Sequence, residues 1–209
     1  MRREDITIQQ SPLPPEYRQL EYIEFTGTQG IFIPTFVMND SYKLYADILF
    51  KPNTVYGSGQ PSQFILQTNG QNKRNYVLLY ENNTPPSWWI YKQQSNVSSN
   101  PLQGIGLNTR ATITYTNNLF QVGTTIENFN SGNYNNNAGI YIGYFINQWT
   151  FQKQYGKMQL FGYLVEDING NEKLHLYPAL RISDFKPGLY DLVNNQFYTN
   201  AGTGEFLYA

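Results

Sequence analysis

The feature that most constrains this chain is a period of two. In SYKLYADILFK, Ser41 to Lys51, the residues Tyr42, Leu44, Ala46 and Ile48 fall on one side of an extended chain and their neighbours on the other. The same alternation returns in QFILQ, NYVLLYE, SWWIYK, AGIYIGYF, KMQLFGYLVED and EKLHLYPALRI. It is the repeat of a half-buried β-strand, and no long stretch carries the helical spacing that would compete with it. Separators such as NGQNK and NNTPP hold residues that accept positive φ or fix a turn. Asn117-Asn118 joins the two halves of ATITYTNNLFQVG, and Asn169-Gly170 between alternating runs is the strongest hairpin signature in the chain. The pattern predicts an all-β fold, two antiparallel sheets packed as a sandwich or jelly roll. An open meander would leave too many unpaired edges.

Composition bounds the partners. The chain has 209 residues, 40% hydrophobic and 16% aromatic, which suits one domain with a large core. Only 14% of residues are charged, so the surface is solvated mainly by Asn and Gln. A net charge of -1 offers no basic patch for a run of phosphates, which argues against nucleic acid as a partner. Without cysteine there is no disulfide framework, thiolate metal site or cysteine nucleophile. MRREDITIQQSPLPP lacks the apolar run of a signal peptide, and no segment approaches the ~18 apolar residues of a membrane span. Cytoplasmic synthesis without membrane insertion is the expectation. Residues 1–15 are polar and end in Pro12, Pro14 and Pro15, which predicts an extended N-terminal arm outside the core, with the sandwich over 16–209. Arg2, Arg3, Ile6, Ile8 and Pro12 are the arm's candidate partner contacts.

The two ends carry a resemblance. LPPEYRQLEYIEFTGTQGIFI, Leu13 to Ile33, and PGLYDLVNNQFYTNAGTGEF, Pro187 to Phe206, resemble the opening and closing motifs of concanavalin A-like, laminin-G-like domains, which occur in bacteriophage proteins and gut bacterial surface proteins. The resemblance implies two sheets face to face, with the first and last strands near one another. It implies packing roles for Leu189, Tyr190, Val193, Phe197, Tyr198 and Phe206. Asn194-Asn195 would turn one hairpin and Gly202-Thr203-Gly204 the next, while Asp191 would be a structural corner, a buried carboxylate satisfied by local hydrogen bonds.

Related folds include glycoside hydrolases, whose retaining members need two nearby carboxyl groups. The Glu-x-Asp-x-x-Glu pattern of laminarinase-like enzymes is absent, and Glu166, Asp167 and Glu172 flank a hairpin tip in water, so a noncatalytic protein is expected. His175, the single histidine, alternates with Leu174 and Leu176 and should face away from the core, without a histidine partner for a metal. Asp167, Asn169, Asn171 and Glu172 could offer oxygens to calcium, but the turn explains them equally; no cofactor or metal is expected. Trp88 and Trp89 must point to opposite faces of a strand. Trp88, Trp89, Tyr91 and Trp149 are the candidate glycan-stacking residues, beside amides able to bond sugar hydroxyls; the competing role for each is packing in a core or an interface.

The leading expectation is a noncatalytic bacteriophage virion protein displaying a lectin-like sandwich, bound to other virion proteins through the arm or a sandwich face, and able to form homo-oligomers. Its location would be the virion. The alternative is a carbohydrate-binding adhesin, on a particle or a bacterial cell surface, that recognises host-surface polysaccharide or mucin glycans.

Overall fold

The computed structural model describes residues 11–36, 38, 41–52, 62–70, 73–80, 87–92, 95–98, 107–116, 118–128, 139–146 and 153–209, with backbone alone for the strands between 62 and 98 and for residues 127, 145, 146, 153 and 154. The described residues form strands β1 (Tyr17–Gln19), β2 (Ile23–Thr26), β3 (Ile31–Ile33), β4 (Tyr42–Phe50), β5 (Ser62–Gly70), β6 (Lys73–Tyr80), β7 (Ser87–Lys92), β8 (Ser95–Ser98), β9 (Arg110–Tyr115), β10 (Leu119–Val122), β11 (Thr125–Asn128), β12 (Ile140–Ile142), β13 (Tyr144–Ile146), β14 (Lys153–Tyr155), β15 (Lys157–Asp167), β16 (Glu172–Arg181), β17 (Lys186–Asp191), β18 (Gln196–Tyr198) and β19 (Leu207–Tyr208). No helix occurs among them.

A large antiparallel sheet runs β11-β10-β9-β4-β15-β16-β17-β18, with β1 beside β16, β2 beside β15 and β19 beside β2. A smaller sheet runs β3-β12-β5-β6-β7-β8, and β13 pairs with β14 as a separate ribbon. One apolar cluster takes residues from both sheets: Leu44, Ile48, Leu160 and Leu174 from the large one, Ile31, Ile33, Ile140 and Ile142 from the small one. The protein is therefore an all-β, two-sheet antiparallel sandwich. Alternation supplies the core directly, since Leu44, Ala46, Ile48 and Phe50 are buried on β4 while Lys43, Tyr45, Asp47 and Leu49 face outward, half-buried.

β15 breaks the alternation once. Leu160 pairs with Ile48 and Gly162 with Asp47, leaving Phe161 as the extra residue of a β-bulge. Phe161 and Gly162 both lie off the core, so that Met158 and Leu160 before the bulge and Tyr163 and Val165 after it all point inward.

The resemblance implied neighbouring ends, and the ends interlock. β19 pairs with β2, Leu207 opposite Glu24 and Tyr208 opposite Ile23. The N–H groups of Ala201 and Thr203 donate to the carbonyls of Gly30 and Thr28, at 2.7 and 2.9 Å. The Gly30 N–H donates to Asn200 Oδ1 at 3.0 Å, and Gln29 Nε2 donates to the Glu205 carbonyl at 3.0 Å. Gln29 is buried, and its Oε1 accepts from the Thr26 N–H at 2.7 Å. The expectation of a second hairpin at Gly202-Thr203-Gly204 is corrected here: β18 pairs with β17 and β19 with β2, so residues 199–206 cross between strands as a clasp. Gly202 is required there, because a Cβ on it would run into the Thr28 carbonyl oxygen. Val193, expected to pack, is 39% exposed on the β17–β18 turn.

Leu13 departs from the expected arm. It is buried with Ala179 and Tyr190 in a satellite cluster on the outer face of the large sheet, against which Tyr17, Tyr177, Leu192 and Phe197 pack. An apolar side chain beside two prolines finds an apolar seat, and the Tyr17 N–H closes the turn onto the Pro14 carbonyl at 3.0 Å. Pro12 is exposed, while Arg2, Arg3, Ile6 and Ile8 lie outside the described residues.

Candidate functional site

The outer face of the large sheet carries the most developed polar arrangement among the described residues. Register sets Glu24, Gln159, Leu49 and Arg110 in one row across β2, β15, β4 and β9. Glu24 Oε2 accepts from Lys51 Nζ at 2.5 Å and from Gln159 Nε2 at 2.8 Å. Beside this row the Phe161 ring, turned outward by the bulge, lies 5.4 Å from Tyr22, centroid to centroid. The Arg110 guanidinium sits over Phe161, its carbon 3.7 Å from the ring centroid.

Arg110 also meets Asp47 as a two-point fork: Nε donates to Oδ1 at 2.9 Å and Nη2 to Oδ2 at 2.7 Å. The fork raises the Arg110 pKa above its ordinary value, through the hydrogen bond to Asp47 first, with desolvation opposing and the charges of Asp47 and Glu21 adding to it. Both side chains stay open to solvent, 49% exposed for Arg110 and 35% for Asp47. They form one wall of a groove of about 660 Å³ over β4, β9 and β10, completed by Thr109, Thr112, Thr114, Gln121 and Thr124 with Ala111 and Gly123 between them. Thr112 stands opposite Asp47, and Thr114 lies between Tyr45 and Gln121. The groove is thus lined mainly by hydroxyls, one amide and a neutralised ion pair whose guanidinium rests on an aromatic ring.

Other polar residues serve the frame. Asp191 is fully buried; its Oδ1 accepts from the N–H groups of His175 at 3.1 Å and Val193 at 3.0 Å, and its Oδ2 from Asn194 Nδ2 at 2.6 Å. Asn194 Nδ2 also donates to the Lys173 carbonyl at 3.0 Å, so one carboxylate ties β16 to the β17–β18 turn. His175 faces outward between buried Leu174 and Leu176, against Glu172 at 2.9 Å and the Tyr177 ring at 4.6 Å. In the β15–β16 hairpin the Asp167 carboxylate accepts from the N–H groups of Asn169 and Asn171, both at 2.9 Å, and from Lys173 Nζ at 3.1 Å. The Asn171 side chain donates as well, and these donors hold Asp167 below the usual carboxylate range. Its lone pairs are thereby engaged by the turn, and no cluster of three acidic or histidine side chains occurs among the described residues.

The glycan candidates from sequence fall elsewhere. Trp88, Trp89 and Tyr91 lie on β7 of the small sheet, with Leu79, Leu78 and Tyr76 as their partners across β6. Trp149 lies outside the described residues. Asp47 and Arg110 were not singled out in the sequence; their outward positions on alternating strands were readable, but their pairing spans 63 residues.

No protein-family model matches the chain. No curated protein matches it either. A solved structure from Bacteroides ovatus ATCC 8483, described as a candidate carbohydrate-binding protein, is similar in fold, with a TM-score of 0.54 and 16% sequence identity. The alignment covers 92% of this chain and 60% of the Bacteroides chain, so the protein spans well under the full length of that neighbour.

Proposed function

We propose that the chain is a noncatalytic, lectin-like module of the concanavalin A-like kind that holds a glycan on the outer face of its large sheet. The observation that carries this reading is the groove beside Asp47 and Arg110, where threonine hydroxyls, the Gln121 amide and the fork converge on one open cleft. Sugars are recognised by such convergent donors and acceptors. The fold likeness to the Bacteroides protein supports the same reading. Among the described residues, the groove holds a single acid, Asp47, whereas glycoside hydrolysis uses a pair, which supports a noncatalytic role for this groove.

A glycan array probed with the folded protein tests the proposal. Binding to a defined set of polysaccharides in the micromolar to millimolar range is expected, with no release of reducing sugar. An array without signal refutes it. The carrier, a phage particle by the terminal motifs and a bacterial surface in the alternative, is read by mass spectrometry of purified particles against cell fractions.

A further inference from the structure

Resting on the carbohydrate reading above, we infer that the Asp47–Arg110 fork is a vicinal-diol reader and that the groove selects neutral sugars. The fork uses one N–H of Nη2 and one lone pair of Oδ2, which stand 2.7 Å apart. Each atom keeps further capacity, since a guanidinium has five N–H donors and each carboxylate oxygen a second lone pair. At that edge a donor and an acceptor therefore lie side by side. Gauche vicinal hydroxyl oxygens of a pyranose stand a similar distance apart, and each hydroxyl both donates and accepts. One hydroxyl accepts from Arg110 Nη2 while its neighbour donates to Asp47 Oδ2, and the fork remains closed.

Three features favour this ligand over an anionic one. A carboxylate or sulfate needs an uncommitted cation, but Arg110 already faces Asp47 and the pair has no net charge. The other groove side chains are neutral: Thr109, Ala111, Thr112, Thr114, Thr124 and Gln121. Gln121 Nε2 is held by the Gly123 carbonyl at 2.9 Å, which fixes the amide so that its Oε1 can accept a third hydroxyl. Finally, Phe161 beneath the guanidinium and the two-point contact with Asp47 fix the plane of Arg110, so the diol edge exists before the ligand arrives.

The test is titration calorimetry of the full chain with yeast mannan, the same mannan after periodate oxidation and borohydride reduction, which cleaves its vicinal diols, and the anionic polymers alginate and heparin. Mannan and any further neutral ligand found on the array are expected to bind, with affinity lost on periodate treatment. Asp47→Asn and Arg110→Lys should each weaken binding at least tenfold, the second despite retaining its charge. Thr112→Tyr, an exposed position that fills the groove, should abolish binding with the melting temperature preserved. Salt-sensitive binding of alginate or heparin in preference to neutral glycans overturns the inference. Neutral-glycan binding that survives all three substitutions also overturns it, together with the placement of the glycan in this groove, and leaves only glycan binding by the chain standing. Absence of binding to every glycan on the array refutes the function itself.

Discussion

Replacing Asp191 with alanine removes the acceptor for two backbone N–H groups and for Asn194 Nδ2, at 3.1, 3.0 and 2.6 Å. Val193 is 39% exposed, so water can reach its N–H in the variant, and Asn194 keeps its bond to the Lys173 carbonyl. The His175 N–H is the donor with least recourse, because it lies in a strand between the buried residues Leu174 and Leu176. A hydrogen bond to a charged acceptor contributes roughly 1.5–3 kcal/mol, and an orphaned buried donor loses about 1–3 kcal/mol. The recoverable Val193 and Asn194 contacts bring the expected loss for Asp191→Ala to about 3 kcal/mol. Asp191→Asn should lose less, about 1–2 kcal/mol, because one oxygen can still accept from both backbone groups while the new amide opposes Asn194 Nδ2. With a urea slope of about 2–3 kcal/mol per molar, the alanine variant should unfold at a midpoint about 1 M lower. A midpoint within about 0.3 M of the parent would refute the idea that this carboxylate braces the corner. Glycan affinity of the folded variant should not change, since the groove lies on β4, β9 and β10.

Tyr163 is buried and its hydroxyl has no hydrogen-bond partner among the described residues, so Tyr163→Phe should stabilise the protein by about 1 kcal/mol; a lower melting temperature would reveal a partner for the hydroxyl. Burial raises the phenol pKa of Tyr163, and burial followed by the neighbours Tyr141 and Tyr155 raises that of Tyr144. The fold thus keeps both phenols neutral while the unfolded chain ionises them near pH 10, so stability present below that pH should fall above it by about 1.4 kcal/mol per pH unit for each tyrosine. Urea midpoints followed from pH 9 to 11.5 should show this decline, made shallower by Tyr163→Phe; a flat profile would contradict it. Gly202→Ala places a methyl against the Thr28 carbonyl and should open the clasp, read as faster amide exchange at Gly30 and Thr203 with the small sheet's central strands unaffected.

Much of the frame was legible because its cause is local. Alternation alone separates buried Leu44, Ala46 and Ile48 from outward Tyr45 and Asp47, and it turns His175 away from Leu174 and Leu176. Asn195 takes the positive φ, 53°, that its place in an Asn-Asn turn suggested. What could not be read depends on neighbours distant in sequence. The composition of residues 199–206 suits a hairpin turn and a crossing loop equally, and only the partners at Thr28 and Gly30 decide between them. The bulge at Phe161 is invisible in a run that reads as plain alternation until Gly162 pairs with Asp47. The Arg110–Asp47 fork needs β4 and β9 to be adjacent, a fact of topology.

The clasp gives the chain a particular relation to its own synthesis. Residues emerge from the ribosome N-terminus first, yet the Thr28 hydroxyl donates to the carbonyl of Thr203, 175 positions later, and β2 pairs with β19. The edge of β2 therefore stays open while the residues up to 203–208 are made, whereas the β15–β16 and β16–β17 hairpins close between near neighbours. Contacts of such long reach slow folding and prolong exposure of unpaired strand backbone. Until residues 203–208 arrive to cover it, the β2 edge is open to a foreign strand.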